Sequence, residues 1–170
     1  MTRGIAARLF GMFVLAVATS GIVRAEDLAA PSGAVVLTVS GAISKPNTGH
    51  EAAFDLAMLE ALPKKEIRTT TPWTDGVTTF EGFALKDLLG AVGATGETLH
   101  AVALNDYATD LPASDAERGV VIAYKVNGDY ISVREKGPLW VIYPFDDQPD
   151  LKTETIYGRS IWQLTRLEVL

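Results

Sequence analysis

The chain has 170 residues, with 21 acidic against 15 basic side chains, a formal charge of −6, and no cysteine. Acidity of this kind argues against a broad basic face for nucleic acid or anionic membrane, and the missing cysteine excludes a disulfide, a thiolate nucleophile and a sulfur metal site. Two histidines, His50 and His100, leave little for zinc or for a nucleophile–base pair, and neither neighbours a GxSxG turn.

Residues 1–25 read as a signal peptide. Arg3 and Arg8 give a positive start, Leu9 to Val23 an apolar run shorter than a usual membrane span, and Val23-Arg24-Ala25 a cleavage site before Glu26-Asp27. The expected product is periplasmic or secreted. Setting aside Arg3, Arg8 and Arg24 takes the basic count from 15 to 12 against 21 acidic residues, so the processed charge becomes −9. The remaining length suits one domain with its own core.

Residues 26–34 are small and polar, with Pro31, Ser32 and Gly33, and read as a flexible leader to a domain over 35–170. Val35 to Gly41 is a first strand. Phe54 to Leu62 places Phe54, Met58, Leu59 and Leu62 on one helical face, with Asp55 at its start and Pro63 as its stop. Glu66 to Thr71 reads as a strand that leads to Pro72-Trp73-Thr74-Asp75-Gly76, where a tryptophan sits in a polar loop. Phe80 to Phe83 feeds an amphipathic helix over Leu85 to Val92. Gly93 ends it, and the glycines there are on the wrong side of the helix for a phosphate.

Leu99 to Leu104 is a strand running into the polar stretch Asn105 to Pro112, a place where binding residues gather on rigid scaffolds and where an Asx-turn is the structural alternative. Ala113 to Arg118 is a short turn or cap. Asn127-Gly128 marks a tight hairpin between Val120–Val126 and Asp129–Val133. The uninterrupted apolar run Leu139 to Tyr143 after Gly137-Pro138 calls for a strand covered on both faces, while Tyr130 to Val133 alternates and should be half exposed. Phe145 to Asp150 reads as a solvated acidic loop without the spacing of a calcium site. From Trp162 alternation returns for a last strand. The whole is α+β, mixed and mainly β, with two or three short helices.

The chemistry on offer is flat groups in loops: Trp73, Tyr107, Trp140, Tyr143, Tyr157 and Trp162, with Arg134 and Arg159. Aromatic faces stack on flat heterocycles, and carboxylate or amide edges pair with amino-imine groups. Trp140 is expected in the core. Trp73 is expected to lie in a binding loop and not in the core.

The order of these motifs resembles the molybdopterin-binding domain of the sulfite oxidase superfamily. The resemblance rests on Phe80-Glu81-Gly82-Phe83-Ala84-Leu85-Lys86-Asp87-Leu88-Leu89, Val126-Asn127-Gly128, Gly137-Pro138-Leu139, Pro144 and Arg159-Ser160-Ile161-Trp162-Gln163-Leu164, and covers about Val35 to Val169. Where catalytic members of that family place the cysteine that ligates molybdenum, this chain has Thr70-Thr71-Pro72-Trp73, and a threonine hydroxyl is a poor substitute for a thiolate on a soft metal. The chain looks like a short secreted branch without the metal-ligating cysteine.

The resemblance implies a pterin or molybdopterin as ligand, with no metal ligated by the protein and no catalytic residues. It implies a periplasmic sensor or adaptor that passes ligand occupancy to a membrane signalling or redox protein. Its ligand-binding residues are Trp73, Thr74, Asp75, Asn105, Asp106, Tyr107, Tyr143, Arg159, Ser160 and Trp162. Trp73 stacks on the ring and Asp106 or Asn105 pairs with its edge. The alternative is a molybdopterin-dependent oxidoreductase that holds its cofactor without a cysteine. A third reading is a scaffold with a vestigial pocket whose surface binds another protein.

Overall fold

Alternation along Val35–Gly41 (β1), Thr98–Ala103 (β5) and Leu164–Val169 (β10) turns Leu37, Val39, Leu99, Ala101, Leu164 and Leu167 inward, as a sheet with one buried face requires. These strands are neighbours in a sheet ordered β2 (Ala52–Asp55), β1, β10, β5, β6 (Ala108–Pro112). β1 and β10 run parallel, so the first and last strands of the described chain share the middle of the sheet. The computed structural model describes residues 28–170, and the expected signal segment lies outside them.

A second sheet is ordered β3 (Lys64–Thr69), β4 (Thr78–Ala84), β7 (Val121–Val126), β8 (Asp129–Tyr130), with β9 (Trp140–Ile142) also on β7. Three short α-helices, α1 (Leu56–Glu60), α2 (Leu85–Val92) and α3 (Glu154–Arg159), complete the mixed, mainly β fold expected from the sequence. The larger hydrophobic cluster draws Leu37, Phe54 and Leu167 from the first sheet and Phe83, Ile122 and Val141 from the second. A smaller one holds Ile67, Phe80, Val121, Ala123, Trp140 and Ile142. β7 and β9 therefore send alternate side chains to two clusters, which is why their apolar runs are unbroken.

The hairpin turn is as expected, with Asn127 at φ 51° and Gly128 at φ 92°. Its second arm is shorter, because β8 holds only Asp129–Tyr130 before the chain leaves the ladder. Ile131 is buried and Tyr130 and Ser132 are exposed, but Val133 is exposed as well, so the alternation stops there. Gly93 caps α2 in the left-handed region at φ 61°.

Two expectations need correction. The helix expected over Phe54 to Leu62 starts only at Leu56. Phe54 pairs with Leu37 in β2, and Asp55 is the N-cap, accepting from the Met58 N–H at 2.9 Å. Pairing on β1 satisfies the Ala52–Asp55 backbone and overrides the helical period. The same carboxylate accepts from the Ser32 and Gly33 N–H groups at 2.8 and 2.7 Å, tying the end of the leader to the fold. The polar stretch Asn105 to Pro112 is mostly β6, antiparallel to β5, and the loop contracts to the turn before Ala108.

Candidate functional site

A cavity of about 390 Å3 opens between the Trp73 loop, the β5–β6 turn and α3 with its exit. Its walls are Trp73, Ala103, Asn105, Tyr107, Glu154, Tyr157, Gly158, Ser160, Ile161 and Trp162. The volume lies in the range of roughly 300–1,000 Å3 of small-molecule pockets.

Local chemistry sets each wall. The Thr71 hydroxyl accepts from the Trp73 N–H at 3.2 Å and pairs with the Thr74 hydroxyl at 2.8 Å, closing a turn that presents the indole. That indole packs edge-on against Trp140, Tyr157 and Trp162, with centroids 5.9, 5.8 and 5.9 Å away. Across the cavity, Asn105 Oδ1 accepts from the Tyr107 N–H at 3.2 Å with Asp106 at φ 62°, and the Tyr107 hydroxyl donates to the Gly158 carbonyl at 3.2 Å. The Ser160 hydroxyl donates to the Ile156 carbonyl at 3.1 Å, and its own carbonyl accepts from Trp140 Nε1 at 3.1 Å. Gln163, at φ 53°, donates from its side chain to the Val133 carbonyl at 2.6 Å, and beside it Trp162 stands 37% exposed.

Of the residues expected from the sequence, Trp73, Asn105, Tyr107, Ser160 and Trp162 come together on the cavity. The other five stand elsewhere. Thr74 spends its hydroxyl on Thr71, and Asp75 is exposed in the same loop. Asp106 is exposed and meets Arg166 at 3.3 Å. Tyr143 is fully buried and donates to Asp115 at 2.8 Å; burial, then that bond, pushes its hydroxyl well above the ordinary phenol range. Arg159 turns to the buried Asp115 at 3.2 Å, which needs a counter-charge more than the cavity does.

Trp73 also departs from the expectation that it lies outside the core, since it packs against both hydrophobic clusters while lining the cavity. Trp140 is core as expected. Ala103, Glu154, Tyr157, Gly158 and Ile161 were not singled out for the site, although Tyr157 stood among the flat groups. Glu154 had no signal, because the six-residue α3 is too short to show a period.

In the Thr70-Thr71-Pro72-Trp73 stretch, where the resemblance places the family's cysteine, the Thr70 N–H and hydroxyl both donate to Asp146, each at 2.6 Å, and Lys152 meets the same carboxylate at 2.7 Å. Lys152 and then Thr70 hold the Asp146 carboxyl at about 2. Two further carboxylates are paired: Asp150 with Arg118 at 2.5 Å and Asp110 with His100 at 2.7 Å.

The fold is that of a molybdopterin-binding, oxidoreductase-like domain. Residues 35–145 match the family described as oxidoreductase molybdopterin binding domain, and the chain belongs to that family. It is similar in fold to the sulfane dehydrogenase SoxCD from Paracoccus pantotrophus, with a TM-score of 0.59, 16% identity, and coverage of 78% of this chain and 37% of that one. The chain thus spans little more than a third of that chain's length. No curated protein matches it.

Molybdopterin offers a flat pterin ring, a pair of sulfurs that carry the metal, and a phosphate. The ring fits a cavity walled by two indoles and two phenols. The chain offers less to the other two parts: it has no cysteine to add a thiolate to the metal, the Thr70 hydroxyl is engaged by Asp146, and no lysine or arginine is among the cavity walls.

Proposed function

We propose that this chain is a periplasmic binding protein for a flat heterocycle of the pterin class, acting as a non-catalytic sensor or adaptor. One observation carries the reading: Trp73, Tyr107, Tyr157 and Trp162 meet around a single cavity whose polar walls are Asn105, Ser160 and Glu154. Family membership supports a pterin ring as occupant, and the absent cysteine supports binding without metal chemistry. The periplasmic address rests on Arg3, Arg8 and the apolar run Leu9 to Val23, and sequencing of the exported protein is expected to start near Glu26. Ligand occupancy would be read by a membrane signalling or redox protein.

The test is titration of tryptophan fluorescence in the purified chain with neopterin. Saturable quenching supports the reading, and no quenching and no thermal shift with any oxidised or reduced pterin overturns it. The family match equally favours an oxidoreductase that holds molybdopterin through its pterin alone. Stoichiometric molybdenum in protein isolated from its own periplasm would establish that reading in place of the sensor.

A further inference from the structure

We infer that the cavity selects an uncharged heterocycle bearing a 2-amino-4-oxo edge, that Glu154 reads this edge, and that phosphorylated forms are excluded; this deepens the pterin reading and rests on it. Glu154 is the one charged residue among the cavity walls. It stands in the first turn of α3, and among the described residues its carboxylate makes no ion pair or hydrogen bond, unlike Asp106, Asp110, Asp115, Asp146 and Asp150. A carboxylate accepts two parallel N–H bonds, and an amino group beside a ring N–H offers two at the matching spacing. Asn105 and Ser160 also line the cavity.

No lysine or arginine is among the cavity walls. Arg159, between the wall residues Gly158 and Ser160, is 3.2 Å from Asp115. Arg166 is 3.3 Å from Asp106. Lys136 lies over the Trp140 and Trp162 rings at 5.4 and 5.6 Å and lines a separate surface cavity with Asn127 and Tyr130. Among the cavity walls a phosphate would meet one carboxylate and no lysine or arginine, in a chain of net charge −6.

Four probes test this on the full exported chain: neopterin, neopterin triphosphate, lumazine, which has the pteridine ring with oxygen in place of the 2-amino group, and guanosine, which shares the edge on a purine. Neopterin is expected to bind at least about tenfold more tightly than its triphosphate and than lumazine, the discrimination expected of a charge-assisted pair. Glu154→Gln is expected to weaken neopterin about tenfold and to bring it level with lumazine, while Glu97→Gln, an exposed carboxylate off the cavity, changes nothing. Equal binding of neopterin and its triphosphate, or an unchanged neopterin-to-lumazine ratio in folded Glu154→Gln, overturns the inference and leaves the pterin reading standing. Binding of guanosine alone supports the edge recognition and overturns the pterin reading. Binding of none overturns both.

Discussion

Arg159 Nη1 lies 3.2 Å from Asp115 Oδ2, the oxygen that also accepts the Tyr143 hydroxyl at 2.8 Å. The guanidinium that sequence adjacency would carry to the cavity is instead drawn to a buried carboxylate, and the cavity is left without a cation. Removing one member of such a cluster strands the others. Asp115→Ala is expected to cost about 2–4 kcal/mol in urea unfolding and Tyr143→Phe about 1 kcal/mol. A near-neutral Asp115→Ala would show that the cluster is not needed for the fold.

Asp146 fastens the Thr69–Thr70 end of β3 through Thr70 and accepts Lys152. Its folded value of about 2 lies below the ordinary 3.8, so its contribution is complete above about pH 4 and is lost as pH falls through 2. Asp146→Asn is expected to lower stability by about 1–2 kcal/mol at pH 7, by less as the pH approaches 2. A difference that does not vary with pH would contradict the assignment.

Trp73 and Trp162 should separate stability from binding. Trp73 joins both hydrophobic clusters, so Trp73→Ala is expected to lose about 2 kcal/mol of stability and about 1–3 kcal/mol of ligand binding. Trp162, 37% exposed, should lose binding with under about 1 kcal/mol of stability. Urea titration beside ligand titration reads both numbers.

Gly82 in β4 and Gly90 in α2 should respond with opposite sign. A Cβ on Gly82 would run into the Ile122 carbonyl across the β4–β7 ladder, where a bulge sits between Glu81 and Gly82, whereas a Cβ on Gly90 meets nothing within 4 Å. Gly82→Ala is expected to lower stability by about 2–3 kcal/mol or to prevent folding. Gly90→Ala, inside α2, is expected to raise it by about 0.5–1 kcal/mol. Thermal melts of the two variants check the signs.

Elements with a strong local signal were legible in the sequence: β1, α2 with its Gly93 cap, the Asn127-Gly128 turn, the two-sided strand at Trp140 and the last strand. Half of the expected site residues reach the cavity for the same reason, since Trp73, Asn105, Tyr107, Ser160 and Trp162 sit at strand ends or in turns whose position the strand order fixes. What failed depended on partners distant in sequence. Phe54 is a strand residue because Leu37 pairs with it, and Ala108–Pro112 is a strand because β5 offers an edge. Arg159 and Asp106 looked available until Asp115 and Arg166 were seen to hold them. Glu154 was invisible because one short helix turn, placed by tertiary contacts, carries it to the cavity.

The most direct measurement is side-chain NMR of the three tryptophan indoles during a neopterin titration. Trp73 and Trp162 line the cavity, whereas Trp140 is 2% exposed with its Nε1–H held by the Ser160 carbonyl. Large saturable shifts of the Trp73 and Trp162 signals, with Trp140 moving least, are the predicted result. No shift in any of the three, or the largest shift at Trp140, would contradict a pterin-class ligand in this cavity.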